Sequence, residues 1–306
     1  MLEFGDIKMK RTGKTYTIRE WLDIWIKDYA PAHRKPSTMA IYSDERHRIS
    51  LAYPSLGDVL LTDLTALSFE RMLCGLADTY SKSTIRHMRS LFSLAYKAAI
   101  KTDICANNPI MDVQLPSHAA EKSVTALTQE EQVAFETSLS VLNLQDECAL
   151  RTYLLTGLRL DELRQLRWKD WNHRQRYISI RVSKTESEIR QVPLVPEVSA
   201  MLGVLYVTNG NPMPTSYIFS GKQGKILCKS HFRHICDKVS AAAGLRHVTP
   251  HMLRHTFATR LIERGADPKS VSVLLGHTDV AFTLKRYVHP DMCHLQRQMM
   301  LLSGQK

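Results

Sequence analysis

Apolar residues recur along most of the chain at intervals of three and four, the spacing of one face of an α-helix. Over residues 17–30 (TIREWLDIWIKDYA), Trp21, Ile24 and Trp25 make an apolar stripe, and Thr17 with Glu20 has the spacing of a capping box. Further helices are predicted from Ser37 to about Ile49, near Ser68–Ala77 after the turn signals Pro54 and Gly57, and over Ser83–Ile100. In the last of these, Ile85, Met88, Phe92, Ala95 and Ala99 line one face. Arg86, Arg89, Ser90, Ser93 and Lys97 project from the other. Asn107-Asn108-Pro109 then breaks the pattern.

Residues 112–126 (DVQLPSHAAEKSVTA) have no periodicity and read as a linker. A second capping box, Thr128 to Glu131, opens the following half, with helices predicted at about 129–139, 145–156 and from Arg159 to Leu166. The pattern then changes to alternation. Tyr177–Val182 and Arg190–Leu194 flank the polar turn KTESE and read as a β-hairpin with Lys184 at the mouth of its turn. Helices resume at about 230–243, 251–264, 268–275 and 280–287, with an amphipathic tail to Leu302. The predicted fold is mainly α with a small β-sheet: a leader (1–16), a helical domain (17–111), a linker (112–126) and a mixed α+β domain with a C-terminal tail (127–306).

The length of 306 residues suits two such domains, and a hydrophobic content of 44% supports packed cores. The formal charge is +11, with +3 over residues 1–120 and +8 over residues 121–306. That surplus points to a polyanionic partner, nucleic acid first and an anionic membrane surface second. No apolar run approaches the roughly 18 to 20 residues that span a bilayer. The polar start MLEFGDIKMKRTGKTYT, broken by Gly5 and Gly13, lacks the features of a secretory signal. Six scattered cysteines without a CxxC pair suggest reduced thiols in a cytoplasmic chain, which a nucleic-acid partner would make nucleoid-associated.

The sequence has no GxxxxGK[ST], HExxH or GxSxG motif and no dense carboxylate cluster, so chemistry on phosphates is expected to need no metal, nucleotide or other cofactor. What it has is a spaced set of cations and one tyrosine. TGLRLDEL puts Arg159 at a loop-to-helix junction with Glu162 one turn on. HMLRHTF puts His251 and Arg254 on one helical face. LLGHT sets His277 just past a helix end at Gly276, and TLKRY carries Tyr287 ten residues later. Two guanidiniums offer planar, permanently charged donors to the non-bridging oxygens of a phosphodiester. Neighbouring cations also favour the phenolate of a tyrosine whose ordinary pKa is about 10.

Taken singly, each of these residues has an ordinary role: Arg159 an ion-paired helix residue, Lys184 and His277 loop residues, Tyr287 a packed aromatic. His251 and His255, four apart, could also make half of a zinc site. In this order and context, however, TGLRLDEL, SKTESEIRQVPL, HMLRHTFAT, LLGHT and TLKRYVH resemble the tyrosine recombinases, or phage integrase family, over residues 125–290. The resemblance implies that Arg159 and Arg254 clamp the scissile phosphate and that Lys184 protonates the 5′-oxygen leaving group. It implies proton transfer at the nucleophile by His251, donation to the phosphate by His277, a 3′-phosphotyrosyl bond at Tyr287 and a supporting role for Glu162.

It further implies a helical core-binding domain ahead of the catalytic domain, and double-stranded DNA as partner. Exchange would run in a homotetramer on paired sites through a Holliday junction, with accessory DNA-bending or directionality factors, and no membrane. The candidate DNA contacts are Lys82, Arg86, Arg89 and Lys97 in the first half, and Lys222, Lys225, Lys229, His231 and Arg233 in the second. KTYTIREWLDIWIKDY and SLGDVLLTDLT look more like integrases of mobile elements than chromosome-dimer (Xer-like) resolvases. A type IB topoisomerase and a non-catalytic DNA-binding regulator are the alternatives of other classes.

Overall fold

Thr17 and Glu20 close the first helical turn on each other: the Thr17 hydroxyl accepts the Glu20 N–H, and the Glu20 carboxylate accepts the Thr17 N–H. The same reciprocal device recurs at Thr128 and Glu131. The computed structural model describes residues 15–121, 125–181 and 189–276. The chain divides into two compact units, Met1–Ser123 and Val124–Lys306, each with its own hydrophobic core.

The first unit carries α1 (Ile18–Ile24), a π-turn at Trp25–Tyr29, α2 (Pro36–Ala52), α3 (Ala66–Leu76) and α4 (Lys82–Lys101). Pro36 stands in the first turn of α2, where its missing N–H costs nothing. Thr65 and Ser81 cap α3 and α4. The predicted apolar face of α4 is buried throughout: Ile85, Met88, Phe92, Ala95 and Ala99 all lie in the core, with Phe92 against Phe69 of α3 at 4.8 Å between ring centroids. Two large aromatics also have their polar atoms met. Trp21 Nε1 donates to the Ala95 carbonyl and the Tyr96 hydroxyl to the Leu61 carbonyl.

Two expectations for this unit are corrected. Ile24 is 37% exposed, and the buried stripe is Ile18, Trp21, Leu22 and Trp25. Counted from Ile18, those positions share a face, whereas Ile24 lies about a third of a turn away. The stretch from 112 is also not free linker as far as 121: Val113 and Ala119 are buried in the first core and the Lys82 N–H donates to the Ala120 carbonyl. Leu127 already belongs to the second core.

The second unit runs α5 (Gln129–Thr137), α6 (Leu144–Thr156), α7 (Leu160–Gln165), β1 (Trp171–Asn172), β2 (Tyr177–Arg181), β3 (Ile189–Pro193), α8 (Pro196–Thr208), α9 (Lys229–Ala242), α10 (Pro250–Glu263) and α11 (Pro268–Leu275). The three strands form one antiparallel sheet in the order β1-β2-β3. Ile178 pairs with Val192 and Ile180 with Arg190. Ile178, Ile180 and Val192 are buried. α6 packs against both α8 and α10. Among the described residues, no helix is long and apolar enough to cross a membrane.

β1 and α8 were not predicted. β1 is two residues long, too short for alternation to register. α8 (PEVSAMLGVLYVT) is apolar around most of its circumference and has Gly203 inside it, so no single face stands out. The hairpin turn with Lys184, the predicted helix at 280–287 and the tail lie outside the described residues.

Gly157, just past α6, adopts φ +60°, and a Cβ there would collide with the Phe257 ring of α10. Gly157→Ala is therefore expected to lower stability by about 2–4 kcal/mol, from left-handed strain plus overpacking. Urea denaturation measures this; a loss below about 1 kcal/mol would mean that the ring yields without cost.

Candidate active site

Gly157 ends α6 in the left-handed conformation, and two residues on Arg159 is the N-cap of α7. The Arg159 backbone N–H donates to Glu162 Oε2 at 2.7 Å and its Nη1 to Glu162 Oε1 at 2.8 Å. Its Nη2 donates to the Gly276 carbonyl at 2.5 Å. The side chain nevertheless stays 48% exposed.

Arg254 sits one turn into α10, whose start is set by Pro250 and by the Thr249 hydroxyl accepting the Met252 N–H. It is 6% exposed. Its Nη1 donates to the Gly157 carbonyl at 2.6 Å and its Nη2 to the Leu275 carbonyl at 2.9 Å. Those carbonyls lie at the C-terminal ends of α6 and α11, where unshared C=O groups and the helix dipole favour a cation. The consecutive carbonyls of Leu275 and Gly276 thus receive the two arginines, which brings both guanidiniums to the end of α11. His251 lies three residues before Arg254 on α10 and is exposed.

Glu162 is the anion of this group. Burial alone would raise its pKa, but the Arg159 N–H and the guanidiniums of Arg190 and Arg159 outweigh it and hold the carboxyl below its ordinary value. Arg190 was missed in the sequence. Its Nη2 stands 3.0 Å from Glu162 Oε2, and its side chain is 8% exposed. The available signal was its register: it pairs with the inward-facing Ile180, a position where an apolar residue is the default. Tyr153 of α6 is buried, and burial pushes its phenol well above the ordinary value, only partly countered by Arg254, so it stays protonated.

The described structure therefore brings together Arg159, Arg254 and Glu162, with His251 on the same helix as Arg254. Lys184, His277 and Tyr287 lie outside the described residues. Among the described residues, no third His, Cys, Asp or Glu joins His251 and His255 in a metal-binding group.

The candidate DNA contacts divide into exposed and engaged. Arg86, Lys97, Lys222, Lys225 and Arg233 are exposed. Arg89, predicted to project from α4, is instead half-buried and donates to the Met111 carbonyl at 3.0 Å, because the segment after α4 folds back over it. Lys82 pairs with Glu121 at 3.4 Å, Lys229 with Asp161 at 2.6 Å and His231 with Asp146 at 2.7 Å.

The phage integrase family model matches residues 122–294. The tyrosine recombinase XerD of Yersinia pestis is 30% identical over 237 residues, covering 74% of this chain and 76% of its own. A tyrosine recombinase of Pseudothermotoga lettingae is 31% identical over 240 residues, 76% of this chain and 80% of its own. In fold, the chain is similar to the Tn1549 transposon integrase in complex with a circular intermediate DNA. That match has a TM-score of 0.77 and 21% identity, and it covers 94% of this chain and 99% of the other.

Because the folded pKa of Glu162 lies below the unfolded value of about 4.3, its contribution to stability is complete above that value. The contribution is lost as pH falls through the folded pKa. Denaturation midpoints of Glu162→Gln and the parent should therefore differ most near neutral pH and converge under acid. A gap independent of pH would contradict the charge assignment.

Proposed function

The chain belongs to the phage integrase family of tyrosine recombinases, and on that premise we propose that it cleaves and rejoins duplex DNA at specific sites through a 3′-phosphotyrosyl intermediate. The observation that carries this is the pair Arg159 and Arg254, fixed on the consecutive carbonyls of Leu275 and Gly276. Two guanidiniums held by the protein rather than by solvent need no reorganisation as charge builds on the phosphate oxygens. Arg159 and Arg254 contact the non-bridging oxygens, and His277 donates a further hydrogen bond. The Tyr287 oxygen attacks phosphorus as the bond to the 5′-oxygen breaks. The phenolic proton passes toward His251, and Lys184 supplies one to the departing 5′-oxygen. The new phosphotyrosine keeps the energy of the broken ester, so religation needs neither metal nor ATP.

In this reading the first unit is a core-type DNA-binding domain, with Arg86 and Lys97 of α4 on backbone phosphates. Lys222, Lys225 and Arg233 serve the catalytic unit in the same way. Four protomers pair two sites and exchange strands in two steps through a Holliday junction. The substrate class is the attachment site of a mobile element, supported by the resemblance of KTYTIREWLDIWIKDY and SLGDVLLTDLT to that branch. Chromosome-dimer resolution is the second reading, favoured by relatives that carry the names XerD and XerC.

Nicked suicide duplexes from candidate attachment regions and from the chromosomal terminus test these readings, without added metal or ATP. A protease-sensitive adduct on a denaturing gel is expected with the parent and absent with Tyr287→Phe, at unchanged DNA affinity. An adduct formed by Tyr287→Phe would overturn the nucleophile. Relaxation of plasmids without site preference would replace recombination with topoisomerase activity.

A further inference from the structure

Arg190 stands where three parts of the site meet. It comes from β3, whose register places it opposite Ile180. Its guanidinium reaches Glu162 through Nη2 at 3.0 Å and Nη1 at 3.4 Å. It also lies close against Gly276: a Cβ on that glycine would collide with Arg190 Nη1 and come within 3.2 Å of Arg159 Nη1. Gly276 is the residue whose carbonyl accepts from Arg159.

A carboxylate has about four lone-pair sites, and Glu162 uses them on the Arg159 N–H, on Arg159 Nη1 and on Arg190. The groups facing it are Arg159 from its own helix, Arg190 from β3 and the protonated Tyr153 from α6. Without Arg190, a buried carboxylate would keep a single guanidinium. Arg159 would then be drawn into a closer, side-on pair with it, committing more of its donors to the carboxylate.

We propose that Arg190 is a positioning residue for Arg159: by sharing the Glu162 carboxylate and packing on Gly276, it keeps the half-exposed Arg159 side chain placed to meet the scissile phosphate. The inference rests on the reading of Arg159 as a phosphate-binding group. It predicts a specific division of effects, because the Arg190 side chain is itself only 8% exposed.

The test uses the full chain with Arg190→Met, Arg190→Lys, Glu162→Gln and the double variant Arg190→Met/Glu162→Gln. Three quantities are followed: affinity for a core-site duplex, single-turnover adduct formation across pH, and titration of the Glu162 carboxyl by ¹³C NMR in the free protein. Arg190→Met is expected to bind DNA within about threefold of the parent and to cleave about 10- to 100-fold more slowly at neutral pH. Its rate should recover on acidification as Glu162 takes up a proton, and its Glu162 carboxyl should titrate at higher pH than in the parent.

The double variant should be faster than Arg190→Met alone, since removing the anion removes the pull on Arg159. Arg190→Lys keeps a cation at Glu162 and should restore most of the rate, and it carries the test if Arg190→Met fails to fold. Parental cleavage by Arg190→Met overturns the proposal, as does a double variant as slow as the product of the single effects. So does an unmoved Glu162 titration. If the parent itself forms no adduct, the recombinase reading fails and the NMR titration alone decides whether Arg190 sets the charge state of Glu162.

Discussion

Arg254 is a permanent cation with 6% of its surface exposed, and burying such a charge costs several kcal/mol unless its donors are met. The chain meets them with backbone. The carbonyls of Gly157 and Leu275, at the ends of α6 and α11, each accept one Nη. Three helices thereby converge on one guanidinium, because α10 carries the arginine and the other two supply the acceptors. Removing it would leave two carbonyls short of a donor, each at about 1–3 kcal/mol, beside a hole in the packing. The arginine that reads as catalytic is thus also the tie between the helices that build the site.

The constraint spreads outward through glycine. Gly157 and Gly276 both adopt positive φ, and in both a side chain would strike a neighbour: Phe257 in one case, Arg190 in the other. Each glycine lets a helix stop abruptly and turn its last carbonyls toward an arginine. Glu162 does the corresponding work for Arg159, fixing its backbone N–H and one edge of its guanidinium while Gly276 takes a second donor. What remains is a pair of cations with little freedom to reorient. Such preorganisation favours a developing phosphate charge over a resting solvent shell.

The helix starts were legible because capping is local: Thr17 with Glu20 and Thr128 with Glu131 need only their own turn. The amphipathic face of α4 was legible for the same reason, as was the placement of Arg159 at a loop-to-helix junction and of His251 and Arg254 on one helix. What the sequence hid depends on contacts distant along the chain. Arg89 looked like a surface cation until the segment carrying Met111 folded over it. Ile24 was misplaced by one position in a stripe that only the core could define. α8 offered no contrast between its faces, and Arg190 looked like part of a charged hairpin although it points at Glu162, 28 residues away. Lys184, His277 and Tyr287 stand on the sequence motifs alone.

The central claim is that Arg159 and Arg254 are held by Glu162 and helix-end carbonyls so that they grip one phosphate together. A crystal structure of Tyr287→Phe on a core-site duplex tests it most directly. The account predicts both guanidiniums within hydrogen-bond reach, about 3 Å, of the non-bridging oxygens of a single phosphate. Arg254 should still be bonded to Gly157 and Leu275. Guanidiniums that reach different phosphates, or that abandon those carbonyls to reach the same one, would contradict it.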